Sequence, residues 1–273
     1  MEDTAFTELV AHEGERLYRP MPWREPEPDG SFSAYKILVS EMMLQQTQVS
    51  RVIPKFTAFL ALFPSVYDLA DAPLADVLRA WSGLGYNRRA RYLHEAAKQL
   101  AGAREPWSLE LLTTCKGIGQ NTAKAVRVYA YNAPEVFIET NIRSVYIHYF
   151  FPAVDQVNDA AILQVVTRTL DTTRPRAFYW ALMDLGASLK ATHGNAARRS
   201  AHYARQSSFE GSLRQIRGGV LKLLADTPRT LNELQPHFDD RLTTVLDALE
   251  SEGLIHKQAD QYDLGAAQST RAE

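Results

Sequence analysis

The sequence predicts an all-α protein that ends in a short mixed tail. Three observations predict it. From Ser33 to about Ala133, apolar residues recur at spacings of three and four, as in Ile37, Leu38 and Met42 and again in Val77, Leu78 and Trp81, with no alternating strand pattern. The run Leu112-Thr113-Thr114-Cys115-Lys116-Gly117-Ile118-Gly119-Gln120-Asn121-Thr122-Ala123 reads as a helix, a tight Gly-x-Gly turn and a second helix starting near Thr122. Beyond Ser212 come three short helical patterns and a hairpin.

Taken in order, the chain opens on a helical pattern that breaks at Arg19-Pro20-Met21-Pro22-Trp23-Arg24, with Pro26 and Pro28 beyond. Prolines at that density predict an extended loop. The bundle from 33 to 133 is punctuated by turns at Phe63-Pro64-Ser65 and Ala72-Pro73-Leu74. Residues 134–190 read as further helix, strongest at Ala177–Leu189. Segment 190–217 carries Lys190, Arg198, Arg199, Arg205, Arg214 and Arg217 against Glu210 alone, and reads as a basic linker with some helix. In the tail, Leu213–Leu224 is amphipathic. Thr230 with Glu233 three residues on is a capping box. Arg241–Glu252 is a third helix ended by Gly253, and Leu254–Leu264 is a hairpin around Gln258-Ala259-Asp260. Three helices and a hairpin fit a winged helix-turn-helix. Asp247, Glu250 and Glu252 make the third helix acidic for a groove reader, so a plain helical cap stays open as the alternative.

The 273 residues suffice for one large domain or two to three smaller ones. With 45% hydrophobic and 23% charged residues the composition is that of a globular protein. A net charge of −2 excludes a global basic field, so any nucleic-acid contact must come from local patches. No apolar run reaches membrane length and the first residues are acidic, so a cytoplasmic protein is expected. The one cysteine, Cys115, excludes an intrachain disulfide and a cysteine-ligated cluster, and is read as helix packing.

A Gly-x-Gly turn at a helix start turns backbone N–H groups outward and suits a phosphate. Glu139-Thr140-Asn141 follows just beyond the second helix. A backbone anchor beside a carboxylate points to chemistry on DNA.

These residues resemble the helix-hairpin-helix base-excision DNA glycosylases, and most of all the MutY-like adenine glycosylase branch. Leu38-Val39-Ser40-Glu41-Met42-Met43-Leu44-Gln45-Gln46-Thr47-Gln48-Val49 resembles the family's first catalytic helix. Trp81-Ser82-Gly83-Leu84-Gly85-Tyr86 resembles its DNA-wedge loop, and Lys116–Ala123 its hairpin. Glu139-Thr140-Asn141-Ile142-Arg143 falls where the family has Asp-Gly-Asn and a basic residue. Met183-Asp184-Leu185-Gly186-Ala187 resembles the helix before its iron–sulfur loop. The ordered set spans roughly residues 17–190. It implies a two-lobed fold with DNA crossing between the lobes: residues 1–32 and 134–212 form one lobe and 33–133 the other, with the hairpin near 109–128. Residues 213–265 are the winged-helix-like domain and 266–273 a disordered tail.

Cleaving an N-glycosidic bond needs an acid for the leaving base and negative charge for the cationic sugar, and two carboxyls supply both. Glu41 matches the family's acid. Glu139 takes the place of its sugar-side aspartate, one bond length longer (~1.5 Å), and Asn141 stands beside it. The apolar run around Glu41 predicts a buried, raised-pKa carboxyl. Endonuclease III-type relatives place a lysine where Asn121 stands. Asparagine has no nucleophilic amine, so a monofunctional glycosylase without β-lyase activity is expected. For base flipping the resemblance gives Gln46 and Tyr86 as gap-filling residues, and Trp23 and Arg24 as the lining of the base pocket. Leu44 reads as either wedge or core. Arg88, Arg89 and Arg91 are expected on phosphates beside the wedge loop, and Gly117, Gly119 and Thr122 at the hairpin.

Three departures stand out. The four cluster cysteines are absent, so no iron–sulfur cluster, cofactor or metal is expected. The family's domain that reads 8-oxoguanine is missing. Trp180 lies where adenine-specific members carry glutamine or glutamate. The expected partner is double-stranded DNA with a mispaired or damaged base, bound by a monomer associated with the nucleoid. Adenine opposite 8-oxoguanine or guanine leads. Another base (a uracil or thymine opposite guanine, or an alkylated purine) and a non-catalytic DNA-binding protein remain as alternatives.

Overall fold

The computed structural model describes residues 1–201 and 208–265. In chain order the helices are α1 (Asp3–Arg16), α2 (Ala34–Leu44), α3 (Val49–Leu62), α4 (Val66–Asp71), α5 (Leu74–Trp81), α6 (Arg88–Leu100), α7 (Leu109–Thr114), α8 (Gln120–Tyr131), α9 (Thr140–Phe150), α10 (Asp159–Thr169), α11 (Pro175–His193), α12 (Leu213–Asp226), α13 (Leu231–Leu234) and α14 (Leu242–Ser251). The strands are β1 (Arg229–Thr230), β2 (Ile255–Gln258) and β3 (Gln261–Leu264), in antiparallel order β1-β3-β2. The fold is thus all-α with a small C-terminal sheet. No helix among the described residues is long and apolar enough to cross a membrane.

The chain divides into two compact units. One comprises residues 1–41, 106–114 and 118–206; the other comprises 42–105, 115–117 and 207–273. The division therefore falls at 41/42 and 105/106, where the sequence places it at 32/33 and 133/134. Helix α8 belongs with the terminal lobe, where Ala125, Val126 and Val128 are buried.

In the first unit α11 is the central helix, packing on α1 and α9. Its Pro175 sits in the first turn, where a missing N–H costs nothing. The α9–α11 approach depends on Gly186, where a Cβ would stand 2.4 Å from the Asn141 carbonyl oxygen. Residues 134–190 are not continuous helix: 132–139 carries no helix, and loops at 151–158 and 170–174 separate α9, α10 and α11. Asn132 causes the first break, ending α8 in a left-handed conformation at φ 55°. The predicted extended loop at 19–31 holds one 3-10 turn at Pro22–Arg24, because both Trp23 and Arg24 are buried there.

Past α11, the Arg199 guanidinium collects four carbonyls: Phe151 (2.8 Å), Pro152 (3.1 Å) and Val154 (2.9 Å) on Nη1, and Ile147 (3.2 Å) on Nη2. Val157 and Ser200 form a single parallel bridge beside it. So part of the predicted basic linker is a structural arginine. Its His202 and Arg205 lie outside the described residues.

In the second unit, α4 begins with a reciprocal Ser65–Asp68 capping box and packs on α6. The tail follows its sequence pattern closely. The Thr230–Glu233 capping box is made, Gly253 ends α14 at φ 63°, and β2 and β3 form the hairpin over the predicted turn. Strand β1 is the addition; two residues are too short to show a period. The tail packs on α5 through α12 and β3. Glu252 fastens it to α6, taking Arg88 at 3.0 Å, Arg217 through both oxygens, and offering its carbonyl to Arg91. The winged-helix-like segment is therefore part of this unit and not a separate body. The terminal stretch 266–273 lies outside the described residues.

Candidate active site

Helix α2 carries Glu41 between Ser40 and Met42, both fully buried. Glu139 occupies the N-cap position of α9 in extended conformation, φ −117° and ψ 173°, without capping its own helix. The two half-buried residues meet carboxyl to carboxyl in a hydrogen bond. Two carboxyls this close cannot both ionise freely, so each opposes the other's charge. Burial raises the Glu41 pKa well above its ordinary value; the negative charge of Glu139 and the shared hydrogen bond push the same way, and Arg24 opposes. Burial also raises Glu139, less far, because the hydrogen bond from Glu41 and the positive Arg143 favour its ionised form. Arg143 is held there by a two-pronged pair with Asp159 at 2.9 and 2.7 Å. Of the two, Glu41 is thus raised the further.

Behind Glu41, Arg24 is 5% exposed and donates to both oxygens of Asp184, at 2.7 and 3.1 Å. Arg19 adds a bond to Asp184 at 2.7 Å. The planar guanidinium of Arg24 also lies 5.4 Å from the Trp180 ring. Trp180 stacks on Tyr129 at 6.1 Å and 15°, and meets Phe32 edge-on. Burial raises the Tyr129 hydroxyl well above its ordinary pKa, with Glu41 and Glu139 next in effect, which puts it beside the pair. Trp180 further lines a cavity of about 280 Å³ with Phe32, Asn132, Arg174, Arg176 and Ala177. Trp23 is buried beside Arg24 in the 3-10 turn.

Asn121 stands exposed in the first turn of α8 and donates to the carbonyl of Ile138, the residue before Glu139, at 2.9 Å. Asn141 donates to the Met183 carbonyl at 3.4 Å. The nearby Lys124 ammonium is tied to the Val136 carbonyl at 3.0 Å. Thr122 and Gly119 belong to this unit too, Gly119 as the N-cap of α8. Among the described residues, no three His, Cys, Asp or Glu side chains are grouped to hold a metal ion.

The other predicted residues lie in the second unit. Gln46 and Tyr86 are exposed, with left-handed backbones at φ 57° and 48°. Leu44 is half-buried at the end of α2. Gly117 has φ +86° and lies where a Cβ would meet the Tyr92 ring at 2.5 Å, so the turn needs glycine twice over. Cys115 is buried, as packing requires. The arginine cluster needs correction. Arg89 is 7% exposed and its guanidinium is consumed by backbone carbonyls, so it meets no phosphate. Arg88 is exposed but paired with Glu252, and Arg91 with Glu95 at 2.7 Å. Adjacent arginines on a helix point to different faces, and only packing decides which one turns inward.

Three participants escape the sequence reading: Asp184, Arg19 and Tyr129. Asp184 carries a signal, being a charge inside an apolar helix. Tyr129 carries a weaker one, two turns from Asn121 on the same face of α8.

Residues 39–175 match the family described as HhH-GPD superfamily base excision DNA repair protein. The chain is 38% identical over 276 residues to an adenine DNA glycosylase of Mycolicibacterium smegmatis, covering 89% of each. It is 36% identical to one from Mycobacterium tuberculosis, covering 90% of this chain and 88% of that one. A human adenine DNA glycosylase is 33% identical over 69% of this chain and 36% of its own. In fold it resembles a thermostable thymine-DNA glycosylase (TM-score 0.63, 22% identity, 71% and 90% covered). It also resembles an endonuclease III in a non-covalent DNA complex (TM-score 0.55, 13% identity, 67% and 85% covered). With its carboxyl pair, its glycine turn and these likenesses over most of its length, the chain belongs to the HhH-GPD superfamily of base excision DNA repair proteins.

Proposed function

We propose that this chain is a monofunctional DNA glycosylase that removes adenine from a mispair. The observation that carries it is the meeting of the Glu41 and Glu139 carboxyls in one buried site, where burial raises Glu41 further than Glu139. Glu41 donates its proton to a ring nitrogen of the base. The bond from the sugar C1′ to the base nitrogen breaks, and its electron pair leaves with the base. The cationic sugar forms against ionised Glu139, and water adds at C1′ while losing a proton to a carboxylate. Asn121 offers no amine for a Schiff base, and the two nearby lysines are committed elsewhere, Lys124 to a carbonyl and Lys116 over the Tyr92 ring at 5.3 Å. No metal ion or cluster takes part, and a single copy of the chain suffices.

Trp180 favours a second reading of specificity. It offers a stacking face, and one N–H donor, where a glutamine offers donor and acceptor together. Recognition of the base then rests on shape and stacking more than on hydrogen bonds. The test is base release under alkali from duplexes holding adenine opposite 8-oxoguanine, adenine opposite guanine, uracil or thymine opposite guanine, hypoxanthine, and an alkylated adenine. Alkali-dependent cleavage of the adenine mispairs, lost in Glu41→Gln and Glu139→Gln, is the expected result. Cleavage confined to another duplex moves the substrate to that base. A borohydride-trapped adduct overturns the monofunctional assignment.

A further inference from the structure

Gln46 and Tyr86 share an unusual backbone. Both have positive φ, at 57° and 48°, where residues with a Cβ are rarely found, and both residues are exposed. They lie on different loops, one after α2 and one before α6. Strained residues persist only where their surroundings over-determine them.

One side chain reaches both loops, and Arg214 adds a bond to the Tyr86 hydroxyl at 3.0 Å. The Arg89 guanidinium reaches inward from the first turn of α6. Its Nη1 donates to the carbonyls of Met42 (2.7 Å), Met43 (3.0 Å) and Gln45 (2.5 Å). Its Nη2 donates to the Thr47 hydroxyl (3.1 Å) and the carbonyls of Leu84 (3.4 Å) and Gly85 (3.1 Å). The residues on either side of Gln46 and the two before Tyr86 are thus held by one planar group. The Tyr86 and Trp81 rings lie 5.4 and 5.5 Å from it, and the Trp81 indole also donates to Gly85 at 3.2 Å. With these carbonyls bonded to one guanidinium, the backbones that carry Gln46 and Tyr86 are fixed together.

We propose that Arg89 is a positioning residue for base flipping, fixing Gln46 and Tyr86 as one preorganised wedge that enters the duplex as the target base leaves. This rests on the glycosylase reading above. The guanidinium suits the task because its donors form a rigid fork; a lysine has three donors from one point and no plane to place against rings. Burial lowers the Arg89 pKa to about 10, which leaves it charged at neutral pH. Preorganisation matters because inserting side chains must already be in place when the base unstacks.

The test compares parent, Arg89→Lys and the milder Thr47→Val on two substrates. One is a duplex with adenine opposite guanine; the other carries the same adenine in a single strand, where no wedge is needed. Single-turnover release is measured on both, with 2-aminopurine fluorescence beside the target to report unstacking and thermal melting to report folding. The expected result is a tenfold or greater loss on the duplex with little change on the single strand. The unstacking signal falls in parallel. In a Gln46→Ala, Tyr86→Ala background, Arg89→Lys should cause no further duplex loss. Equal losses on both substrates, or no loss on the duplex, overturn the proposal. If Arg89→Lys does not fold, Thr47→Val is judged by the same duplex-to-single-strand ratio, with a smaller fall expected. The fluorescence arm needs no turnover. A parent that unstacks the duplex but releases no base therefore overturns the glycosylase reading and still tests the clamp.

Discussion

Arg24 holds both carboxylate oxygens of Asp184, at 2.7 and 3.1 Å, although the two residues lie 160 positions apart. The pair joins the proline-rich loop to α11, and it sets a positive charge behind the acid Glu41 while neutralising most of that charge with Asp184. Both side chains are nearly inaccessible, at 4% and 1%. Removing one partner strands a buried charge, which costs about 3–5 kcal/mol. Asp184→Asn should therefore lower stability by that amount in urea unfolding. The freed Arg24 charge should also pull the Glu41 pKa down, moving the alkaline limb of the rate profile to lower pH.

The carboxyl pair predicts a bell-shaped rate. The proposed mechanism needs Glu41 protonated and Glu139 ionised, so the acid and alkaline limbs report the first and second proton losses of the pair. Glu41→Gln should reduce single-turnover release by roughly 10²–10⁴-fold.

The same pair should make the protein less stable than it could be. Both folded pKa values lie above the ordinary 4.5, so folding takes up protons at this site. Stability from the pair is full below 4.5 and is lost as pH rises through the raised values. Glu41→Gln removes that loss. The variant should melt higher than the parent at neutral pH, with the gain shrinking to nothing in acid. A difference that is flat with pH would contradict the assignment.

Gly186 offers a smaller perturbation. A methyl there would sit 2.4 Å from the Asn141 carbonyl oxygen and 2.8 Å from its Cβ. Gly186→Ala should cost about 1–3 kcal/mol by overpacking. It should also slow base release, because α9 must shift and carries Glu139 at its cap.

Glu252 should prove important to the second unit. Three arginines converge on it, from α6 and α12. Glu252→Ala should cost about 1–2 kcal/mol, more than one surface pair, since Arg88 and Arg217 lose their partner together while the Arg91 bond to the backbone carbonyl remains. Hydrogen exchange should rise across α12, α14 and the hairpin.

Much of this architecture is legible in the sequence. Helix periodicity, the Thr230–Glu233 box and the glycine turn at Gly117 are local, and local rules place them. Glu41 and Glu139 are legible because acids inside apolar or turn contexts stand out. The fate of Arg89 is not legible: three arginines in four positions look like a phosphate patch, and only tertiary packing sends one of them inward. The non-helical stretch at 132–139 is missed for a related reason. Its apolar Val136, Phe137 and Ile138 look like helix, and the left-handed Asn132 that stops α8 is a one-residue event. Asp184 is a partner chosen across 160 positions, which no local pattern encodes.

Arg199 has a consequence for where such an enzyme can work. Four carbonyls, one in the last turn of α9 and three beyond it, are gathered by a planar guanidinium that neither oxidants nor chelators attack. A fastening of that kind needs no iron supply and no assembly machinery, and it does not respond to peroxide. This corner of the protein should hold its shape in the presence of chelators and of peroxide alike.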